Sequence, residues 1–89
     1  MNKAAIEAYL KLGKRLGVPL QHTLNLICHA RRDRLSELTK RCGVHRNTLY
    51  KALAGETTPS EYLIKKISQE LEGLNPWQYA PGVKDETDQ

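Results

Sequence analysis

The sequence predicts an all-α domain, because apolar residues recur at helical spacings of three and four along most of the chain. Glycine or proline stands where these periodic segments end: Gly17, Pro19, Gly43, Gly55 and Gly73. The chain has 89 residues, 39% of them hydrophobic, and contains no phenylalanine. It is therefore long enough for one small core, built mostly from aliphatic side chains.

The central stretch, residues 34–59, predicts two short helices joined by a tight turn. Leu35, Leu38 and Cys42 recur at i, i+3 and i+7 and form the buried face of the first helix. Gly43 follows directly, where a chain leaving a helix often needs positive φ. Two short helices around a glycine-containing turn form a helix-turn-helix, whose second helix can enter the major groove of DNA.

The second helix of this pair combines an apolar face with a polar one. His45 or Asn47 is expected to cap its start. The inward face consists of Leu49, Ala52 and Leu53. Arginine and lysine suit guanine, asparagine suits adenine, and threonine suits a thymine methyl group. We predict that base edges are read by four outward residues: Arg46, Asn47, Thr48 and Lys51.

Basic residues cluster in and just before these two helices, although the net charge of the chain is only +4. The cluster is Arg31, Arg32, Arg34, Lys40, Arg41, Arg46 and Lys51. Such a patch is expected of a protein that binds phosphate. We predict contacts to the DNA backbone from seven residues: Arg34, Ser36, Lys40, Arg41, His45, Tyr50 and Thr57. An ordinary helical hairpin with a solvated polar face is the alternative interpretation.

A motif beginning at Gly43 resembles the lambda-repressor-like (Cro/XRE) DNA-binding domains: G-V-H-R-N-T-L-Y-K-A-L-A-G-x-x-x-P. These domains share a glycine at the turn, an aliphatic residue in the recognition helix and a glycine four residues before a proline. The segments L-Y-K-A-L-x-G from Leu49 and A-Y-L from Ala8 are most similar to the addiction-module antidote branch. The resemblance covers residues 7–73 and implies a domain of about five helices, here with an additional N-terminal helix. One departure is Thr39, where the family usually has alanine at the contact between the two helices.

Two helices are predicted before the central stretch. Residues 2–16 form an amphipathic helix that packs on the core or serves as a dimer contact. On or near its apolar face lie Ile6, Tyr9, Leu10 and Leu16. Residues 20–32 form the next helix, with a buried stripe of Leu20, Leu24, Ile27 and Cys28. Leu26 lies off this stripe, toward the N-terminal helix, and Asp33 is expected to cap the helix that follows.

Two more helices are predicted after the central stretch. Thr58 and Glu61 fit a capping box with Pro59 at the first helical position. That helix runs to about residue 72, with an inward face of Leu63, Ile64, Ile67 and Leu71. Asn75 and Pro76 repeat the start signal for a short final helix, whose Trp77 covers the core or fills a dimer seam.

These segments give three parts: an N-terminal amphipathic helix at residues 1–19, a helix-turn-helix domain at 20–80, and an acidic tail at 81–89 that we expect to be disordered. No stretch has the apolar length of a membrane span, and the first residues lack the apolar core of a signal peptide. Cys28 and Cys42 occupy apolar helical positions, as expected for buried thiols of a cytoplasmic protein.

Neither metal binding nor catalysis is expected. Cys28 beside His29, and Cys42 three residues before His45, lack the paired ligands of structural zinc sites. The motifs G-x-S-x-G and H-E-x-x-H and a phosphate-binding glycine loop do not occur. The sequence therefore predicts no catalytic residue, metal site or cofactor.

The expected function is that of a sequence-specific regulator that binds double-stranded DNA at a palindromic operator as a homodimer. Such a protein would repress an operon of a phage, plasmid or other mobile element, including its own promoter. The resemblance to the antidote branch implies an alternative, an antitoxin that binds a small RelE-like toxin and represses its own operon. A helical protein-interaction module without a DNA role is the third possibility, in which the basic face serves only solvation.

Overall fold

The computed structural model describes residues 1–81. Within this range the chain forms five α-helices and one 3₁₀ helix, and no β-strand. The helices are α1 (Lys3–Leu16), α2 (Leu20–Ala30), α3 (Leu35–Arg41), α4 (Arg46–Leu53) and α5 (Glu61–Glu70), followed by the 3₁₀ helix Pro76–Tyr79. The predicted all-α class is confirmed. The predicted disordered tail lies outside the described residues from position 82 onward.

One hydrophobic core receives side chains from every α-helix. The fully buried members, each 0% exposed, are Ile6, Leu10, Leu24, Ile27, Leu38, Leu49, Ile67 and Leu71. Trp77 covers one side of this core, and its indole Nε1 donates a hydrogen bond to the Ala52 carbonyl at 3.0 Å. Since Ile6 and Leu10 are in the same core, α1 is an integral part of the packing.

Helix α1 packs on α2 through a glycine. Gly13 is buried, and a Cβ at this position would lie 2.5 Å from the Thr23 hydroxyl oxygen. The two backbones therefore approach closely. The apolar face of α1 differs from the predicted one, because Tyr9 is 36% and Leu16 is 66% exposed. Helical period alone could not show which edge of the apolar sector would meet α2.

The junction between α2 and α3 begins earlier than predicted. Helix α2 ends at Ala30 with Arg31 as its C-cap, and Arg32 adopts the left-handed region at φ 56°. Asp33 is not the N-cap of α3, because that position belongs to Arg34, which has no capping side chain. The Asp33 carboxylate instead accepts hydrogen bonds from the Arg41 guanidinium and from the neighbouring Arg34 amide.

The turn between α3 and α4 has the predicted local features. Gly43 has φ 69°, and Val44 is half-buried against the core. His45 is the N-cap of α4, and its Nδ1 accepts a hydrogen bond from the Asn47 amide at 3.1 Å. The buried Thr39 hydroxyl donates to the Leu35 carbonyl at 2.7 Å, so it is satisfied within its own helix.

The start of α5 differs from the predicted capping box. Ser60 is the N-cap, and its hydroxyl accepts a hydrogen bond from the Leu63 amide at 3.1 Å. Thr58 and Pro59 therefore precede the helix, and Glu61 is its first residue. Serine is the stronger of the two competing caps in this segment, and Glu61 in the first turn still complements the helix dipole.

Helix α5 also ends earlier than predicted, at Glu70 rather than near residue 72. Glu72 and Gly73 both take positive φ, and the Gly73 amide donates to the Ser68 carbonyl at 2.7 Å, which closes the helix end. The Arg31 guanidinium donates to the Glu70 carbonyl at 2.7 Å, so the C-cap residue of α2 also satisfies this end. Ile64, predicted to face inward, is only half-buried.

None of the helices in residues 1–81 combines the length and hydrophobicity that crossing a membrane requires.

Candidate nucleic-acid interface

Helix α4 presents the predicted polar face to solvent. Its inward side is anchored by Leu49, Ala52 and Leu53, which are 0%, 2% and 5% exposed. The four predicted base readers are all exposed: Arg46, Asn47, Thr48 and Lys51. Because the apolar side chains hold the helix against the core, the polar ones project from a fixed frame.

An open groove of about 830 Å³ lies beside the start of α4. Its walls come from α2, the beginning of α3 and α4, and it is lined in part by Arg34, Ser36, Arg46 and Tyr50. The structure thus brings one predicted base reader together with three predicted backbone contacts. Tyr50 is half-buried against the core, so its ring is held at the groove rather than projecting freely.

A second concavity, of about 290 Å³, lies on the other side of α4. It is formed by α4 and the loop that leads to α5, and four predicted contacts line it: Asn47, Thr48, Lys51 and Thr57. The exposed face of α4 therefore separates two depressions. The major groove of B-form DNA is wide enough to admit an α-helix.

Lys40 and Arg41 line neither depression. The Arg41 guanidinium is held by two carboxylates, at 2.6 Å from Asp33 Oδ2 and 2.9 Å from Glu70 Oε1. The hydrogen bond from Arg41 lowers the pKa of the Asp33 carboxyl, and these two acids raise the pKa of the Arg41 guanidinium. Lys40 lies 3.5 Å from Glu37 in an exposed pair.

The cations that line the two depressions differ from Lys40 and Arg41 in having no carboxylate partner for their side chains in the described part of the chain. Within residues 1–81, no carboxylate oxygen lies within 4.0 Å of the side-chain nitrogens of Arg34, Arg46 or Lys51. Unpaired cations attract phosphate more strongly than cations already neutralised by a carboxylate. Arg34, Arg46 and Lys51 are consequently better placed to bind an anion than Arg41.

Three polar residues of α2 were missed by the sequence reasoning: His22, Asn25 and His29 line the larger groove. They recur at i, i+3 and i+7 on the side of α2 away from its buried stripe, which is the signal that could have identified them. Leu26, predicted to face α1, is 55% exposed and lines the same groove. His45 lines neither depression, and its Nδ1 is engaged as the cap of α4.

Both cysteines are free and buried. Burial raises the pKa of the Cys28 thiol to about 11 and also raises the pKa of Cys42. These thiols are protonated near neutral pH, so they are poor nucleophiles and poor metal ligands. Among residues 1–81, no three His, Cys, Asp or Glu side chains come together in a way that could hold a metal ion.

Comparison with known proteins found no match for this chain among models of protein families, curated proteins or solved structures.

Proposed function

We propose that this chain is a lambda-repressor-like helix-turn-helix protein that binds double-stranded DNA in a sequence-specific way and represses transcription, including that of its own operon. The observation that carries the proposal is the outward face of α4. Arg46, Asn47, Thr48 and Lys51 are all exposed on a helix whose opposite side is fixed by the fully buried Leu49. These are the side-chain types that recognise guanine, adenine and thymine in the major groove.

The electrostatics support the same partner. The side chains of Arg46 and Lys51 on α4, and of Arg34 beside it, have no carboxylate partner in the described part of the chain. Ser36 and Tyr50 add hydroxyl donors at the larger groove. Phosphate contacts of this kind set the register of a protein on the duplex, and the base readers add specificity. A homodimer on a palindromic operator would double the readout of one short helix.

A second candidate function is that of an antitoxin, which would add neutralisation of a small RelE-like toxin to the repression of the operon. It is favoured by the segment L-Y-K-A-L-x-G from Leu49 and by A-Y-L from Ala8, which resemble the addiction-module antidote branch. Both candidates require the same DNA-binding face. A short neighbouring reading frame that encodes such a toxin would discriminate between them.

The proposal is tested by selecting bound sequences from a random duplex pool and then measuring variants on the selected site and on a scrambled duplex. Arg46→Ala and Asn47→Ala should each cost about 1–3 kcal/mol on the selected site and little on the scrambled one. The matched control is Arg15→Ala, an exposed cation near the end of α1. Retention of the full sequence preference by both α4 variants, or failure to select any sequence, would exclude α4 as the reader.

A further inference from the structure

Helix α1 carries a second apolar face that the core does not use. Its core-facing side consists of Ile6, Leu10 and Gly13. Tyr9, Leu12 and Leu16 are 36%, 51% and 66% exposed, which makes them three of the six exposed large apolar side chains in residues 1–81. Together with the half-buried Ala5 they form a row that we call the α1 stripe. A contiguous apolar row on the surface is a candidate for contact with a partner.

The α1 stripe has the spacing of a helix-packing seam. Ala5, Tyr9, Leu12 and Leu16 are separated by four, three and four residues, which is the spacing of the a and d positions of a heptad. At about 100° per residue, the stripe lies roughly a quarter-turn around the helix from the core-facing side. The charged residues of α1 all lie off the stripe: Lys3, Glu7, Lys11, Lys14 and Arg15.

The stripe is also complementary to itself. The pairs Tyr9–Leu12 and Ala5–Leu16 share one midpoint, between residues 10 and 11. If a second α1 lies antiparallel across this midpoint, each Tyr9 faces the partner's Leu12 and each small Ala5 faces the partner's large Leu16. A two-fold axis at this point produces the same contacts for both copies, as an isologous interface requires.

The antiparallel direction is favoured by the helix dipole and by size matching. Two antiparallel helices place the positive end of one dipole beside the negative end of the other, whereas parallel copies would bring like ends together. Parallel copies would also oppose alanine to alanine at one level and tyrosine to tyrosine at the next, which leaves a gap beside a crowded layer.

We infer that the α1 stripe is a homodimer interface, in which two copies of this chain pack antiparallel through Tyr9 and Leu12. The inference rests on the proposed function in one respect, because a dimeric regulator needs such a surface. Its test measures dimerisation and requires no DNA. Helix α1 packs on α2 and on the 3₁₀ helix, whereas α4 packs on α3 and α2, so the stripe does not use the α4 face. The seam is short, so the dissociation constant of the dimer should be micromolar or higher.

The first experiment measures the mass of the full chain by sedimentation equilibrium over a wide concentration range. We expect a monomer–dimer equilibrium, and Leu12→Glu should weaken dimerisation at least about tenfold because it places a charge in an apolar seam. Leu26→Glu is the matched control, since Leu26 is 55% exposed but lies on α2. Circular dichroism melting of each variant shows that it is folded.

The second experiment tests the antiparallel register by charge complementation. Tyr9→Lys and Leu12→Glu should each be monomeric alone, and an equimolar mixture should form a heterodimer, because lysine at position 9 then faces glutamate at position 12. In a parallel dimer, position 12 of one chain would face position 12 of the other, so mixing the two variants would not restore dimerisation.

A wild-type chain that stays monomeric at millimolar concentration would overturn the inference and assign the stripe to a different protein. Equal weakening by Leu26→Glu, or a mixture that remains monomeric, would also overturn the proposed interface. Selection of a specific duplex sequence by such a monomeric wild-type chain would show that the proposed function holds although the dimer inference fails.

Discussion

At the scale of single residues, the structure places five cations of the basic cluster in two groups. Arg41 connects the α2–α3 junction to the end of α5 through Asp33 and Glu70, and Arg31 donates to the Glu70 carbonyl. Arg34, Arg46 and Lys51 have no such partner within the described residues. The first group holds the fold together, and the second remains available to an anionic ligand. Sequence alone presents all of them as equivalent positive charges.

The Asp33–Arg41 pair should make a pH-dependent contribution to stability. Arg41 lowers the folded-state pKa of Asp33 below its ordinary value of 3.8. The contribution is therefore present above pH 3.8 and is lost as the pH falls through the folded-state pKa. Asp33→Asn should cost about 0.2–1 kcal/mol at pH 7, the range of a solvent-screened pair. Urea denaturation at pH 7 and at pH 2 measures this difference, which should shrink at pH 2.

The control for that prediction is Glu37→Gln, which removes a carboxylate from the more exposed pair with Lys40 at 3.5 Å. It should change the free energy of unfolding little at either pH. A cost of Asp33→Asn that is as large at pH 2 as at pH 7 would show that the effect comes from packing rather than from the ion pair.

At the scale of helices, local capping decided where α5 begins. Thr58 and Ser60 both offer a hydroxyl near the start of this helix, and the Ser60 hydroxyl is the one that reaches a free amide, that of Leu63. Helix α4 is capped by a histidine ring nitrogen rather than a hydroxyl. The first turns of α4 and α5 both border the smaller depression beside α4, so their caps help to position the proposed DNA-binding face.

Ser60→Ala should cost about 0.5–2 kcal/mol of stability, because it removes the acceptor for an amide at the first turn of α5. Thr58→Ala should change stability by less than about 0.5 kcal/mol, since Thr58 is exposed and precedes the helix. Thermal or urea denaturation of the two variants compares them directly. A larger loss in Thr58→Ala would restore the capping box predicted from the sequence.

Leu49 is the central anchor of α4, being 0% exposed in the middle of the helix. Leu49→Ala should destabilise the domain by about 2–5 kcal/mol, because the deletion leaves a cavity in a closed core. Leu26→Ala is the control, as Leu26 is 55% exposed. An unchanged midpoint of thermal unfolding for Leu49→Ala would mean that the inward face of α4 is misassigned.

At the scale of the whole molecule, charge distribution matters more than total charge. The net charge of +4 is modest for 89 residues, yet three cations whose side chains have no carboxylate partner within the described residues lie on or beside α4: Arg34, Arg46 and Lys51. On the proposed function, the α4 face lies against DNA and the α1 stripe joins two copies of the chain. The core that connects them includes side chains from both helices, so the two surfaces are held in one frame.

DNA affinity should depend steeply on salt if this face binds the duplex backbone. The logarithm of the affinity should fall linearly with the logarithm of salt concentration, with a slope of about −0.9 per phosphate contact. Arg34→Ala should reduce the magnitude of the slope by about one, since Arg34 is unpaired at the larger groove. Arg41→Ala should leave the slope nearly unchanged if the variant is folded. Affinity that is indifferent to salt would remove DNA as the partner.

The sequence by itself determined the helical class, the approximate position of each helix and most of the core. Leu35, Leu38 and Leu49 are buried as their spacing predicted, and Gly43 takes the positive φ that its place after a helix required. These features depend on helical period and on backbone stereochemistry, which act within a few residues of the chain.

Only the tertiary structure decided which apolar edge of α1 is buried, which carboxylates hold Arg41, and where Leu26 lies. Gly13 permits the close contact with Thr23 that fixes α1 on α2, and this contact leaves Tyr9 and Leu16 outside the core. Asp33 and Glu70 meet Arg41 across 8 and 29 residues of chain. Such contacts depend on how whole helices pack against one another, because residues distant in the chain become neighbours only after the helices have docked.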